Sequence, residues 1–128
     1  MFEHGFVRVA SAVPDVKIGD CEYNAGKMTE MIFLAEREGV QIIVFPELSM
    51  TAYSCGDLFY QPVLLNKAVS ELGNMLNNTR EAGIISIAGM PILVDNRLFD
   101  CGVVFCRGKI LGIVPKANIR GSHGYTED

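Results

Sequence analysis

Apolar residues along this chain follow two rhythms: short continuous runs, and longer stripes at spacings of three and four. Residues 6–13 (Phe-Val-Arg-Val-Ala-Ser-Ala-Val) and 41–45 (Gln-Ile-Ile-Val-Phe) are β-branched and aromatic runs, stopped by Pro14 and Pro46. They predict two buried strands, because proline cannot donate to a ladder. Between them Ala25, Met28, Ile32 and Ala35 recur on one helical face. Asp20 suits the N-cap of that helix and Glu22 its first turn, while Arg37 and Gly39 are stop signals. Met28, Met31 and Phe33 read as core rather than as cofactor contacts. A second helix is predicted from Pro62 at its first position. It turns Leu65, Ala68, Leu72, Leu76 and Thr79 inward and ends near Gly83.

Residues 57–60 predict a short turn of helix, and residues 84–90 a third strand interrupted by Pro91 and continued in some form over 92–94. Asp95-Asn96 is a turn, 98–106 a fourth strand, Arg107-Gly108-Lys109 a tight turn, and 110–114 a fifth strand ended by Pro115. The fold class is therefore α/β, with the order β-α-β-α-β followed by an antiparallel meander. Helical crossovers make the first three strands parallel and the connections right-handed. Residues 117–128 are polar and glycine-containing with no period. The expected organisation is one partial domain over 1–117 and a poorly ordered tail over 118–128.

Composition narrows the partners. A chain of 128 residues is one domain at most. A hydrophobic share of 49% and a mean hydropathy of +0.25 are high for so short a chain. Some apolar surface is expected to lie against a partner or further sequence. Net charge is −4 with pI about 5.1, and no basic patch invites nucleic acid. No run approaches the ~18 residues of a membrane span, and the N-terminus has no leader pattern. The four cysteines, Cys21, Cys55, Cys101 and Cys106, form no C-x-x-C pair. They predict a cytoplasmic chain with reduced thiols and no metal. His4 and His123 sit in the two chain ends and read as solvated.

Candidate chemistry lies in a repeated grammar of strand, proline and charge: Val44-Phe45-Pro46-Glu47 and Ile113-Val114-Pro115-Lys116. In the first, the charge stands just past the carboxyl end of a strand, where open α/β sheets bind ligands. If the two strands lie side by side, Glu47 and Lys116 face one crevice. A carboxylate serves as general base and an ammonium stabilises developing negative charge. Tyr53, Cys55 and Tyr60 flank the carboxylate in sequence. Spacing alone leaves open a solvated loop glutamate and a surface lysine after a hairpin. Cys101 and Cys106 are five apart on a strand, hence on opposite faces. Cys21 lies in a first helical turn, where the helix dipole can activate a thiol.

Residues 45–59, Phe-Pro-Glu-Leu-Ser-Met-Thr-Ala-Tyr-Ser-Cys-Gly-Asp-Leu-Phe, resemble the N-terminal amidase domain of bacterial glutamine-dependent NAD synthetases, a branch of the nitrilase (carbon–nitrogen hydrolase) superfamily. Leu98-Phe99-Asp100-Cys101, the run from Gly108 to Lys116 and residues 6–13 resemble the same domain, so the likeness covers residues 2 to about 117. It implies the first half of an α-β-β-α sandwich. It implies Glu47 as general base, Lys116 as the oxyanion-stabilising lysine and Tyr53 beside the substrate amide. In the family a cysteine attacks the carboxamide of glutamine, a thioester forms, ammonia leaves and water releases glutamate. No cofactor is implied for this domain. A separate synthetase domain uses ATP and Mg to amidate deamido-NAD with that ammonia.

The family's nucleophile lies well downstream of the lysine, and this chain ends 12 residues after Lys116. The expectation is a chain truncated before its catalytic cysteine and inactive alone. Its expected partners are glutamine, the remainder of the amidase and synthetase domains, and further copies of itself, with no nucleic acid and no membrane. Cys55 belongs to the family motif without being its nucleophile. The residues after Lys116, including Ile119-Arg120-Gly121-Ser122, depart from the family pattern. Two alternatives stand beside this reading. One is a non-enzymatic half-domain that binds a partner through its open face. The other is a different amidase of the superfamily, against which the Tyr-Ser-Cys-Gly-Asp-Leu-Phe segment argues.

Overall fold

A computed structural model describes residues 5–52, 62–119 and 125–126. Its elements run β1 (Val9–Ser11), α1 (Cys21–Arg37), β2 (Ile42–Val44), α2 (Pro62–Asn78), β3 (Ile85–Val94), β4 (Arg97–Cys106), β5 (Lys109–Ile119) and β6 (Tyr125–Thr126). All six strands form one sheet in sequence order. β1, β2 and β3 are parallel, and β3 to β6 pair antiparallel. This is the expected β-α-β-α-β followed by a meander. Successive crossovers in one direction along the sheet put both helices on one face. The core lies there: Met28 and Ile32 of α1 and Ala68 and Met75 of α2 meet Ile43, Ala88, Met90, Val103 and Phe105 of the strands.

Helix α1 starts where the sequence places it. Asp20 is the N-cap and its side chain accepts from the Tyr23 amide at 3.0 Å. Helix α2 opens on Pro62, but its buried stripe is Leu64, Ala68, Leu72 and Met75, with Leu65 and Leu76 only partly covered. The inward face is thus rotated from the expected one, and Met75 rather than Leu76 carries its last turn. The helix stops at Asn78, where the Thr79 hydroxyl and amide both donate to the Met75 carbonyl, at 2.7 and 2.9 Å.

The prolines behave differently from expectation. β1 is only three residues long, because its partner β2 is equally short, and Phe6 and Val13 are exposed. Pro91 does not interrupt β3, which runs on to Val94 with Pro91 paired to Asp100. The amide and carbonyl of Gly89 both bond on the side away from β4, to residues 49 and 50. Two residues on, Pro91 turns its missing N–H to that same side, so no ladder bond to β4 is lost. Pro115 likewise lies inside β5, opposite Cys101, on a stretch that among the described residues pairs with β4 alone. β5 continues to Ile119, where residues 125 and 126 pair with it. Both meander turns have two left-handed residues, Asp95 and Asn96 at φ 50° and 63°, Arg107 and Gly108 at 51° and 78°. That is the turn geometry whose twist matches a two-residue hairpin.

Candidate active site

The sheet face away from the helices carries the site. Strand β2 ends at Val44, and residues 46–52 then fold across the neighbouring β3 in a tight elbow. Leu48 and Ala52 adopt φ of 53° and 71° there, a conformation that side-chain-bearing residues hold only when the surroundings impose it. Here those surroundings are specific. Gly89 donates to the Ser49 hydroxyl at 3.1 Å and accepts from the Met50 amide at 2.9 Å. A Cβ on Gly89 would meet the Leu48 amide nitrogen, stand 2.6 Å from the Pro46 carbonyl oxygen and 2.9 Å from the Glu47 carbonyl carbon. The backbone that carries Glu47 therefore rests directly on a glycine of β3.

From the helix side, Asn24 fixes the same elbow. It is fully buried, accepts from the Lys17 amide at 2.7 Å, and donates to the Lys17 carbonyl at 2.8 Å and the Met50 carbonyl at 3.0 Å. The Ser49 hydroxyl contacts the Met28 sulfur at 3.2 Å, and the Gly19 amide donates to the Thr51 carbonyl at 2.8 Å. Glu47 itself is half-buried.

Lys116 reaches the same face by a different device. β4 and β5 shift register between Asp100 and Cys101: Cys101 pairs with Pro115 and Asp100 with Ala117, leaving Lys116 as the extra residue. Such a bulge re-aims a side chain. The Lys116 stem is turned over Gly102, its Cε 3.5 Å from where a Gly102 Cβ would stand. Gly102 pairs directly with Gly89 across β3 and β4. Directly opposed residues of an antiparallel pair project to the same face, about 5 Å apart. So the Glu47 backbone and the Lys116 stem are brought over two adjacent glycines of one sheet face, although one belongs to the elbow after β2 and the other to β5. Lys116 is exposed.

Sequence reasoning missed Gly89, Gly102, Asn24 and the bulge. The glycines were open to notice: a glycine inside a strand pattern marks a close backbone approach. Asn24 and the bulge left no local signal. Asp100 was quoted only for its resemblance, yet it is fully buried on the Gly102 face.

Tyr53 and Cys55 lie outside the described residues, as do 57–60, His4 and His123. Of the described cysteines, Cys101 is buried on the opposite, helix-facing side, paired with Met90. Burial, and then the Asp100 carboxylate, push its thiol up to about 11. Cys106 bonds the Gly83 carbonyl at 3.5 Å, where β4 ends, and Cys21 is buried at the start of α1. Cys106 shares the parity of Gly102 but lies four residues beyond it at the far end of β4, so none of the three stands beside the glycine pair. Among the described residues no group of three or more His, Cys, Asp or Glu side chains could hold a metal ion. No helix there is long and apolar enough to cross a membrane. A hollow of about 340 Å³ between α1 and α2, lined in part by Glu22, Thr29, Glu71 and Asn74, includes neither Glu47 nor Lys116.

Residues 8–127 match the carbon-nitrogen hydrolase family. The chain belongs to that family. The glutamine-dependent NAD(+) synthetase of Mycobacterium tuberculosis is 33% identical over 116 residues, which is 91% of this chain and 17% of the relative. The synthetase of Bos taurus is 31% identical over 108 residues, 84% of this chain and 15% of the relative. The chain thus spans about a sixth of the length of these curated relatives. Among solved structures, the glutamine-dependent NAD(+) synthetase of Cytophaga hutchinsonii superposes with a TM-score of 0.79 at 22% identity, over 90% of this chain and 20% of that one. An amidase from Nesterenkonia gives 0.75 at 18% identity, over 95% and 48%. Both likenesses bear on fold alone, and they place this sheet and its two helices in a nitrilase-type fold.

Proposed function

We propose that this chain forms the glutamate-and-lysine half of a carboxamide-hydrolysing site that takes glutamine. The observation that carries the reading is the Gly89–Gly102 pair, which seats the Glu47 elbow and the Lys116 stem side by side. Glu47 accepts the proton of an attacking thiol, and the sulfur adds to the carboxamide carbon. The resulting oxyanion gains from the Lys116 ammonium. Glu47 returns its proton to the leaving nitrogen, ammonia departs and a thioester remains. Glu47 then takes a proton from the water that releases glutamate. The likeness to NAD(+) synthetases supports a further step in a cytoplasmic setting. There the ammonia amidates deamido-NAD at an ATP- and Mg-dependent centre that these residues do not form. Since no described cysteine lies beside the Gly89–Gly102 pair, this reading takes the thiol from Cys55 or from chain outside these 128 residues.

Ammonia release from glutamine tests this. The 128 residues alone are expected to release none. Joined to sequence that supplies the thiol, the parent is expected to release ammonia, and Glu47→Gln or Lys116→Ala to lower the rate at least about a hundredfold. Release by the short chain that both Glu47→Gln and Cys55→Ala abolish would make Cys55 the nucleophile. Release indifferent to Glu47 and Lys116 would overturn the reading.

A specific observation also favours self-association as a second role. Val9 and Val114, on the face away from the helices, are 61% and 53% exposed. Sedimentation of the purified chain over a concentration series is expected to show reversible oligomers, and a strict monomer would remove this role.

A further inference from the structure

We propose that Ser49 is the positioning residue for Glu47, its hydroxyl latching the turn that carries the carboxylate onto β3. The Ser49 amide donates to the Pro46 carbonyl at 3.3 Å. That bond closes a turn with Glu47 at its second position and Leu48, at φ 53°, at its third. The turn is tied to β3 at both ends. Before it, the Phe45 amide donates to the Ile87 carbonyl at 2.9 Å, which extends the parallel β2–β3 ladder past Val44. In a ladder continued further, the Gly89 amide would bond the Phe45 carbonyl. It donates instead to the Ser49 hydroxyl at 3.1 Å, so a side-chain oxygen stands in for a strand carbonyl. The Gly89 carbonyl accepts from the Met50 amide at 2.9 Å. Of these two bonds to Gly89, one is made by backbone alone and the other depends on the residue at position 49.

The hydroxyl is committed on both sides. It accepts from Gly89 and donates to the Met28 sulfur at 3.2 Å, a weak acceptor. Ser49 and Met28 are both buried, so the latch is shielded from solvent. A chain of contacts thus runs from the sheet through the elbow into α1, two residues from Glu47. The same commitment leaves Ser49 no part as a nucleophile, close as it is to the carboxylate in sequence. Alanine at position 49 would keep the backbone and most of the volume but leave the buried Gly89 amide without its acceptor. The turn relieves that cost by lifting from β3, and Glu47 moves with it. This inference deepens the role given to Glu47 above and rests on it. The latch itself is measurable whether or not ammonia is released.

The test is amide exchange and NMR shifts on the full chain, with kinetics in a longer polypeptide that releases ammonia. Ser49→Ala is expected to speed exchange of the Gly89 amide at least about tenfold relative to the β4 amides, and to shift the Glu47 backbone resonances. Gly89 protection unchanged relative to β4 overturns the proposal. Should Ser49→Ala not fold, Met28→Leu carries the test, since it nearly conserves volume and removes the acceptor of the hydroxyl proton. It is expected to speed Gly89 exchange about threefold relative to β4, and no change overturns the proposal. In the polypeptide that releases ammonia, Ser49→Ala is expected to lower kcat at least about tenfold with little change in KM. Ser49→Thr, which restores the hydroxyl, should recover part of it. In a Glu47→Gln background Ser49→Ala should cost nothing further, because it acts through the carboxylate. Losses that multiply mark a merely structural role and overturn the proposal. If no polypeptide carrying these residues hydrolyses glutamine, yet Gly89 exchange and the Glu47 shifts respond to Ser49→Ala, the amidase reading fails and the latch on Glu47 stands.

Discussion

Gly89 and Gly102 are direct cross-strand partners on β3 and β4, and each is a seat for one charged residue of the candidate site. The two seats differ in kind. Gly89 meets backbone, the peptides of residues 46–48, whereas Gly102 meets the far end of a flexible side chain.

That difference predicts unequal effects of the same substitution. Gly89→Ala forces its methyl into the elbow backbone and is expected to lower stability by about 2–3 kcal/mol, the upper end of overpacking. It also displaces Glu47 and should abolish any amidase activity. Gly102→Ala meets the Lys116 stem at 3.5 Å, the Ile87 Cγ2 at 3.6 Å and the Val114 carbonyl oxygen at 4.0 Å, all ordinary contacts. It should change stability by less than about 1 kcal/mol while moving the lysine. Urea titrations of the two variants check this; equal losses would show that the elbow does not depend on Gly89.

Asn24 makes the second prediction. Its amide is buried and joins the segment before α1 to the elbow through Lys17 and Met50. Asn24→Ala removes three bonds and leaves buried backbone groups unpaired, a loss of about 2–4 kcal/mol. Because the Asn24 side-chain hydrogen bonds go to the segment before α1 and to the elbow, amide exchange should accelerate in residues 17–19 and 50–52 more than in β4. Uniform acceleration across the chain would contradict the clamp.

How much of this was legible in the sequence follows from which interactions are local. The helix start at Asp20, the opening of α2 at Pro62 and the two hairpin turns depend on residues close in sequence, and they were readable. The parallel order of the first three strands followed from crossover handedness. Pro91 and Pro115 misled because whether a proline ends a strand depends on which side of it has a neighbour, a fact of the assembled sheet. Glu47 and Lys116 stood out as candidates by their matching strand-proline-charge contexts. That the Glu47 backbone and the Lys116 stem lie over paired glycines depends on the register of β3 on β4 and the bulge in β5, neither of which leaves a local trace. The rotation of the α2 stripe toward Leu64 and Met75 reflects the angle at which the helix meets the sheet, which periodicity alone does not fix.

The Asp20 cap offers a smaller, local test. Its carboxylate accepts from the Tyr23 amide. Asp20→Ala is expected to lower stability by about 1 kcal/mol, and Asp20→Ser to restore most of that. A urea midpoint unmoved by Asp20→Ala would mean that the first turn of α1 is held by packing around Cys21 and Asn24 instead.

Cys101 gives a prediction in pH. Burial first, and the neighbouring Asp100 carboxylate second, hold its thiol up from 9.0 to about 11 in the folded chain. The neutral thiol is thus favoured by folding. Below pH 9 both folded and unfolded chains keep the proton, so the full contribution to stability is present. Between pH 9 and about 11 the unfolded chain releases the proton while the folded chain retains it, and stability falls by no more than about 2.5 kcal/mol. Cys101→Ala should flatten the thiol's part of this decline, leaving only what tyrosines and lysines contribute. The same shift makes Cys101 slow toward a thiol reagent at pH 8, where half-buried Cys106 should react first. Urea midpoints of parent and Cys101→Ala chains at pH 8, 9, 10 and 11 decide the matter. Parallel curves would show that Cys101 does not titrate as its burial requires. Rapid labelling of Cys101 at pH 8 would show that it reaches solvent, and would reopen it as a nucleophile despite its place on the helix-facing side of the sheet.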